Sequence, residues 1–200
     1  MSSWDTAAQL APFAVAATFT PGPNALLLTS VAANYGLRPA VPAAVGIWAG
    51  IPILIFIVGI GLGEVSDAVS HSGVILHVAA TVYILWLTWT VVRMSPLRAA
   101  QSTPRPPSAL QAAALQWVNP KVWTMAAGAI GAFTASGRGS VGQALLACAV
   151  FAVVLLPAIG MWTLFGTAIR RWLTSDRRFA AFRILMGVLL AGSVVLTWTL

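Results

Sequence analysis

The sequence predicts an all-α integral membrane protein, with six transmembrane helices arranged as an inverted repeat of three plus three. Three observations carry that expectation. Of the 200 residues 59% are hydrophobic and only 8% are charged, the balance of a chain whose surroundings are apolar. About six apolar segments, each long enough to cross a hydrocarbon core of about 30 Å, alternate with short connections. The first and fourth segments are broken near their starts, at Pro21-Gly22-Pro23 and at Asn119-Pro120.

The first segment, near 6–33, would be one long apolar helix without the stretch Thr20-Pro21-Gly22-Pro23-Asn24. Each proline lacks a backbone donor and crowds the carbonyl one turn earlier, and the glycine lets the chain leave helical angles. The second and third segments fall near 40–63 and 73–92, joined by an expected outer connection with Glu64 and Asp67 and no basic residue. The proline-rich stretch Met94–Ser108, with Arg98 and Arg105 inside it and Arg93 directly before it, is the natural midpoint. The fourth, fifth and sixth segments follow near 109–135, 142–167 and 180–199. Residues 1–93 thus read as the first three-helix repeat, 94–108 as a cytoplasmic linker and 109–200 as the second repeat, within one membrane domain.

The charges orient this arrangement. Arg38, the three arginines of the midpoint and Arg170, Arg171, Arg177, Arg178 and Arg183 fall in alternate connections, against Arg138 alone in the others. Basic connections stay in the cytoplasm, which puts both termini outside. This loop charge accounts for the net charge of +7, so no nucleic-acid partner is implied. No basic residue precedes Arg38, so residues 1–20 read as the start of the first span rather than a cleaved signal. Trp4, Trp86, Trp89, Trp172 and Trp198 lie near span ends, where amphipathic rings settle.

Several chemistries are excluded. There is no G-x-x-x-x-G-K-[ST] phosphate loop, and the one cysteine, Cys148, lies in an apolar run as a small hydrophobe. No carboxylate lies well inside a span, so neither a bound metal nor metal transport fits. His71 and His77 read as interfacial, and no nucleophile, base and orienting group assemble into an enzyme site.

Three spans on each side of the midpoint give the halves opposite orientation. Pro21 and Pro120, 99 positions apart, occupy matching places in them. Paired discontinuous helices at a repeat interface are where transporters of this architecture hold their solute. The restarting half-helix turns amides toward the gap and the ending half-helix turns carbonyls, which suits a zwitterion's carboxylate and ammonium.

The candidate site residues are therefore Pro21, Gly22, Pro23 and Asn24 at the first break and Gln116, Asn119, Pro120 and Lys121 at the second, with Tyr83 from the third span. Asn24 and Asn119 serve either to cap the interrupted helices or to read a solute, and the two roles overlap. Gln116 shares a helical face with Asn119. Lys121, the only lysine, lies within a span, where a charge is functional by default, although its stem is long enough to reach the cytoplasmic surface. Gly46 and Gly50 form a G-x-x-x-G face for close helix contact.

Pro21-Gly22-Pro23-Asn24, Gly36, Gly46 and Gly50 resemble the first-half signature of the LysE/RhtB amino-acid exporter family, and Asn119-Pro120-Lys121 resembles its second-half motif. The stretch Tyr83-Ile84-Leu85-Trp86-Leu87 is similar to the family's third-span pattern. The resemblance implies a bacterial inner-membrane exporter of amino acids or their derivatives with six spans and no cofactor. Two positions depart. Ala40 replaces a common glycine, and Ile51 stands where many members carry an aspartate, which leaves a proton-coupling scheme resting on that aspartate without its carboxylate. Ile51, residues 114–119 and residues 82–87 together look more like the cysteine and O-acetylserine exporter branch.

The expected function is a secondary transporter, with coupling to protons open, that exports small neutral amino acids or their derivatives across the bacterial inner membrane by alternating access at the two broken helices. The alternatives left open are an uncoupled facilitator and a non-transporting membrane subunit or scaffold. Its partners would be an amino-acid substrate and the lipid bilayer, with homo-oligomerisation open.

Overall fold

The computed structural model describes residues 3–92, 106–133, 141–172, 175–178, 180–182, 184–185, 187–188 and 191; past Gly61 the first of these stretches has side chains described only at 78, 81, 82, 85, 88 and 89. Every regular element among them is helical: α1 (Ser3–Phe19), α2 (Pro23–Tyr35), α3 (Leu37–Val92), α4 (Ala109–Ala114), α5 (Pro120–Phe133) and α6 (Val141–Trp172).

The first apolar segment is divided into α1 and α2. Thr20 ends α1 with an amide bond to the Ala16 carbonyl, and α2 restarts with Pro23 at its first position. Proline belongs there, because that amide has no helical acceptor in any case. At the other end of α2, Gly36 takes φ 92° while its amide bonds to the Ala32 carbonyl. That left-handed angle is one which a side chain would strain, and it turns the chain into α3.

The second and third segments are one element here. α3 is 56 residues long, about 84 Å at 1.5 Å per residue, and it is continuous through Glu64 and Asp67, where the sequence suggests a connection. The physical reason is the absence of a breaker: no proline occurs between Pro52 and Pro96. The intervening glycines each cost about 1 kcal/mol in a helix without removing a hydrogen bond.

Leu37–Gly61 of α3 and Val141–Ile169 of α6 are long and apolar enough to cross a membrane. Both are apolar on their outer faces as well as their inner ones. Val41, Val45, Ile53 and Ile60 on α3 and Val153, Leu156 and Leu164 on α6 are exposed. A helix that is apolar all round suits a lipid environment rather than water.

The inner faces meet in one core, in which Ile47, Ile51, Leu54, Ile55 and Val58 of α3 pack with Val122, Ala126 and Ile130 of α5 and Phe151 and Leu155 of α6. Phe13 of α1 sets its ring edge-on to Phe151, with centroids 6.3 Å apart. Two hydrogen bonds stitch α3 to α6: Trp48 Nε1 donates to the Ala152 carbonyl at 2.9 Å, and Cys148 Sγ donates to the Pro52 carbonyl at 3.1 Å.

The G-x-x-x-G face of α3 receives the short helix α4. A Cβ on Gly46 would collide with the Ala109 carbonyl, and one on Gly50 would come within 2.8 Å of Gln116 Cγ and 3.0 Å of Ala113 Cα. This contact fixes the height of the second break against α3. Gly46→Val should therefore destabilise the fold by about 1–3 kcal/mol or more, read as a lower melting temperature in detergent. Gly131→Ala, at a glycine with nothing within 4 Å of the added methyl, should be neutral or stabilising by about 0.5–1 kcal/mol.

Candidate functional site at the two helix interruptions

Each interruption is shaped by local sequence. At the first, Thr18 Oγ1 donates to the Ala14 carbonyl at 2.8 Å and Thr20 Oγ1 donates to the Ala16 carbonyl, so two threonines satisfy the last turn of α1. Gly22 is extended (φ −173°, ψ −173°) and leads into α2 with no side-chain cap. Leu26 makes the first amide bond back, to the Gly22 carbonyl at 3.0 Å. The first turn of α2 thus turns its amides, and the positive end of its dipole, toward the gap.

The second interruption begins with Ser108, whose hydroxyl accepts from the Gln111 amide while Gln111 Oε1 accepts from the Ser108 amide. This reciprocal box starts α4. The helix tightens into a 3₁₀ turn over Leu115–Val118 and stops at Asn119, which is extended (φ −90°, ψ 106°). Asn119 Oδ1 then accepts from the Lys121 amide at 3.2 Å, so Asn119 caps α5 with Pro120 at its first position. Trp123 closes the corner by donating Nε1 to the Trp117 carbonyl at 2.8 Å.

Two side-chain links join the interruptions. Asn24 Nδ2 donates to Gln116 Oε1 at 2.7 Å and Gln116 Nε2 donates back to Asn24 Oδ1 at 3.1 Å. Gln116 is fully buried, and its Nε2 also donates to the Ala112 carbonyl at 2.7 Å. The second link is Lys121, whose Nζ donates to the Thr20 carbonyl at 2.7 Å and lies 3.5 Å from the Pro21 carbonyl. Its stem runs over Gly22, where a Cβ would come within 2.9 Å of Lys121 Cδ.

Between the links lies a cavity of about 40 Å³. Thr18, Thr20, Gly22 and Asn24 line it from the first interruption, Asn119 and Lys121 from the second, and Ile51, Leu155, Ala158 and Trp162 from α3 and α6. Lys121 is the one charged side chain among these lining residues. Trp162 Nε1 is buried without a hydrogen-bond partner among the described residues.

Four of the nine candidate residues therefore line the cavity: Gly22, Asn24, Asn119 and Lys121. Gln116 is not among the lining residues and instead holds Asn24 in place, and Pro21 contributes a carbonyl to Lys121. Pro23 and Pro120 are buried helix starters. The Tyr83 side chain lies outside the described residues. The lining residues that the sequence did not name as site candidates include Thr18 and Thr20, whose spacing to the break signals bonding to carbonyls four residues back, and Leu155, Ala158 and Trp162, whose apolar surroundings carry no local signal; Ile51, marked in the sequence only as a departure from the family pattern, also lines the cavity.

Every regular element among the described residues is helical, and two of the helices are interrupted beside a small cavity lined by polar backbone and one cation. The family model of the LysE type translocator matches residues 15–197, and the chain belongs to that family, whose members are translocators and not enzymes. The cysteine/O-acetylserine efflux protein of Salmonella choleraesuis (strain SC-B67) is 29% identical over 106 residues, 52% of each chain. That of Escherichia coli (strain K12) is 31% identical over 106 residues, again 52% of each. The chain thus spans about half the length of the curated relatives it matches. No solved structure matches it significantly.

The paired amides give the site a measurable signature. Asn24→Leu leaves Gln116 with an unmet buried donor and acceptor, and Gln116→Leu does the same to Asn24, at about 1–3 kcal/mol each. The double variant should be less destabilised than the two single losses summed, with a coupling of about 1 kcal/mol or more, measured by a double-mutant cycle of unfolding in detergent. Additive losses would mean that the pair does not act as a unit.

Proposed function

We propose that this chain is a secondary exporter of small neutral amino acids or their derivatives in the bacterial inner membrane, with cysteine-like and O-acetylserine-like solutes as its class. The observation that carries the reading is the cavity between the interruptions, lined by the start of α2, by Thr20, whose carbonyl accepts from Lys121, and by Lys121 itself. Amides at a helix start suit a carboxylate and carbonyls at a helix end suit an ammonium group. Family membership supports translocation, and the efflux function for which the relatives are named supports the solute class.

Size and charge agree with a small neutral solute. At about 40 Å³ the cavity has room for roughly three waters at about 10–15 Å³ each, so even a small amino acid needs the site to open further. A strongly cationic solute would meet Lys121 with no carboxylate among the described lining residues to offset it.

In the transport cycle we propose, residues 1–93 and 109–200 form two inverted halves that rock about the site, with 94–108 as the linker between them. Asn24, Gln116 and Lys121 bridge the halves, while Pro21, Gly22, Pro23, Asn119 and Pro120 shape the gap, and Tyr83 is the further solute contact proposed from the third segment. Six crossings with both termini outside require the chain to reverse between Gly61 and Gly73, and the acidic residues Glu64 and Asp67 favour a place outside the apolar layer. Asp67→Cys should then react with an impermeant maleimide added outside intact cells. Protection of that position from both sides would support an unbroken α3 instead.

A second reading, an uncoupled facilitator, is favoured by Ile51, an apolar residue lining the cavity. Vesicles decide between the two: a coupled exporter should accumulate labelled O-acetyl-L-serine against its gradient when a pH gradient is imposed, whereas a facilitator only equilibrates it. Ala158→Phe, placed to fill the cavity, should reduce transport at least tenfold at equal protein content. Unreduced transport would put the solute path elsewhere.

A further inference from the structure

The amine of Lys121 sits where the proposed reading would place the amine of the solute. Its Nζ makes a 2.7 Å hydrogen bond to the Thr20 carbonyl, beyond the end of α1, and lies 3.5 Å from the Pro21 carbonyl. No described lining residue is a carboxylate that would account for an ammonium at this point. What holds Lys121 there is backbone carbonyl, the same kind of group that a free α-ammonium would use. Gly22 leaves room for the stem, since Cδ would be 2.9 Å and Nζ 3.1 Å from any Cβ at that position.

We infer that Lys121 is a tethered competitor: in this conformation its ammonium occupies the seat of the transported solute's ammonium, and solute binding requires its displacement. The inference rests on the amino-acid exporter reading above and adds to it a rule of selection. A displaced Lys121 loses its carbonyl partners in an apolar setting, where an unpaired charge is costly. A zwitterion supplies the replacement, because its carboxylate enters the site together with the ammonium that evicts the lysine. A simple amine evicts the lysine but brings no anion, so the displaced lysine is left without a partner beside a second cation. A simple carboxylate has no group with which to take the seat. Recognition of the whole zwitterion then follows from one exchange of partners.

The same exchange links occupancy to movement. Lys121 belongs to α5 and its carbonyl partners to the interruption that follows α1, so that while it holds them the two interruptions are tied. Eviction by the solute unties them, which is the moment at which the two halves are free to rock. The stem also fills space beside Gly22, and its withdrawal enlarges the cavity when the solute needs it.

The test separates displacement from ordinary attraction. Gly22→Ala keeps the Lys121 charge and pushes its flexible end off the carbonyls, at a backbone angle that alanine adopts without strain. Equilibrium binding of labelled O-acetyl-L-serine to the purified full chain should become about tenfold tighter in Gly22→Ala, the equivalent of one charge-assisted hydrogen bond no longer competed for. Lys121→Met empties the seat, and ethylammonium should bind it at least tenfold more tightly than it binds the wild type. Unchanged or weaker O-acetyl-L-serine binding in Gly22→Ala overturns the inference, because a lysine that only grips the carboxylate would be loosened by that change. Equal ethylammonium binding in Lys121→Met and wild type overturns it too. If wild type binds no zwitterion, the exporter reading fails by itself, and the ethylammonium arm still reports whether Lys121 fills an amine seat.

Discussion

Backbone left without helical partners at the two interruptions is the constraint that the rest of the structure answers. In an apolar setting each unpaired amide or carbonyl costs about as much as a lost hydrogen bond or more, so every group freed by Pro21, Pro23 and Pro120 needs another partner. The structure supplies them by type. Thr20 Oγ1 reaches the Ala17 carbonyl, whose helical donor Pro21 removes, at 3.4 Å, Asn119 caps the helix that it precedes, and Lys121 crosses to the last carbonyls of the first interruption. The start of α2 is left without a side-chain cap. The cavity lies against that uncapped end, and its polarity follows from which groups were satisfied and which were not.

The links between the interruptions form because small residues let the segments approach. Gly46 and Gly50 bring α4 and the following 3₁₀ turn against α3, which sets Gln116 at the depth of Asn24, and Gly22 lets the stem of Lys121 pass. Packing and polarity are coupled here. A methyl at Gly50 would move Gln116 first, and through it the reciprocal amide pair. Similarly, Gly166 of α6 lies against the Thr29 carbonyl of α2, and Thr29 Oγ1 donates in turn to the Trp162 carbonyl at 3.2 Å. That contact places Trp162, whose ring edge meets Phe165 with centroids 6.2 Å apart, on the far wall of the cavity.

Much of this was legible in the sequence, and the boundary between what was and was not is physical. An apolar composition and adjacent prolines and glycine announce helices in an apolar medium and the places where they stop, since both are local properties of the chain. The role of Asn119 was legible as well, because asparagine followed by proline is the pattern of a capped helix start. The pairing of Asn24 with Gln116 was not, because it depends on the register between segments 92 positions apart, which no local pattern encodes. Helix α3 differs from the expectation in the opposite way. Two acidic residues and several glycines read as a connection, yet neither type removes a hydrogen bond, and the helix continues where nothing obliges it to stop.

The placement of Lys121 also changes how the polar ends of the broken helices divide the work. A zwitterion laid simply across the gap would take carbonyls with one end and amides with the other, and the two helix ends would suffice. With Lys121 already on the carbonyls, the amides of α2 are the part of the gap that no side chain covers, so the vacant attraction in this conformation is for negative charge. Under the exchange proposed above, an incoming amino acid is met carboxylate first, and that carboxylate offers Lys121 a new partner as the ammonium takes the Thr20 carbonyl. On that reading the order of contact follows from which partner is occupied, and Ile51 adds no negative charge to a lining in which no described residue is a carboxylate.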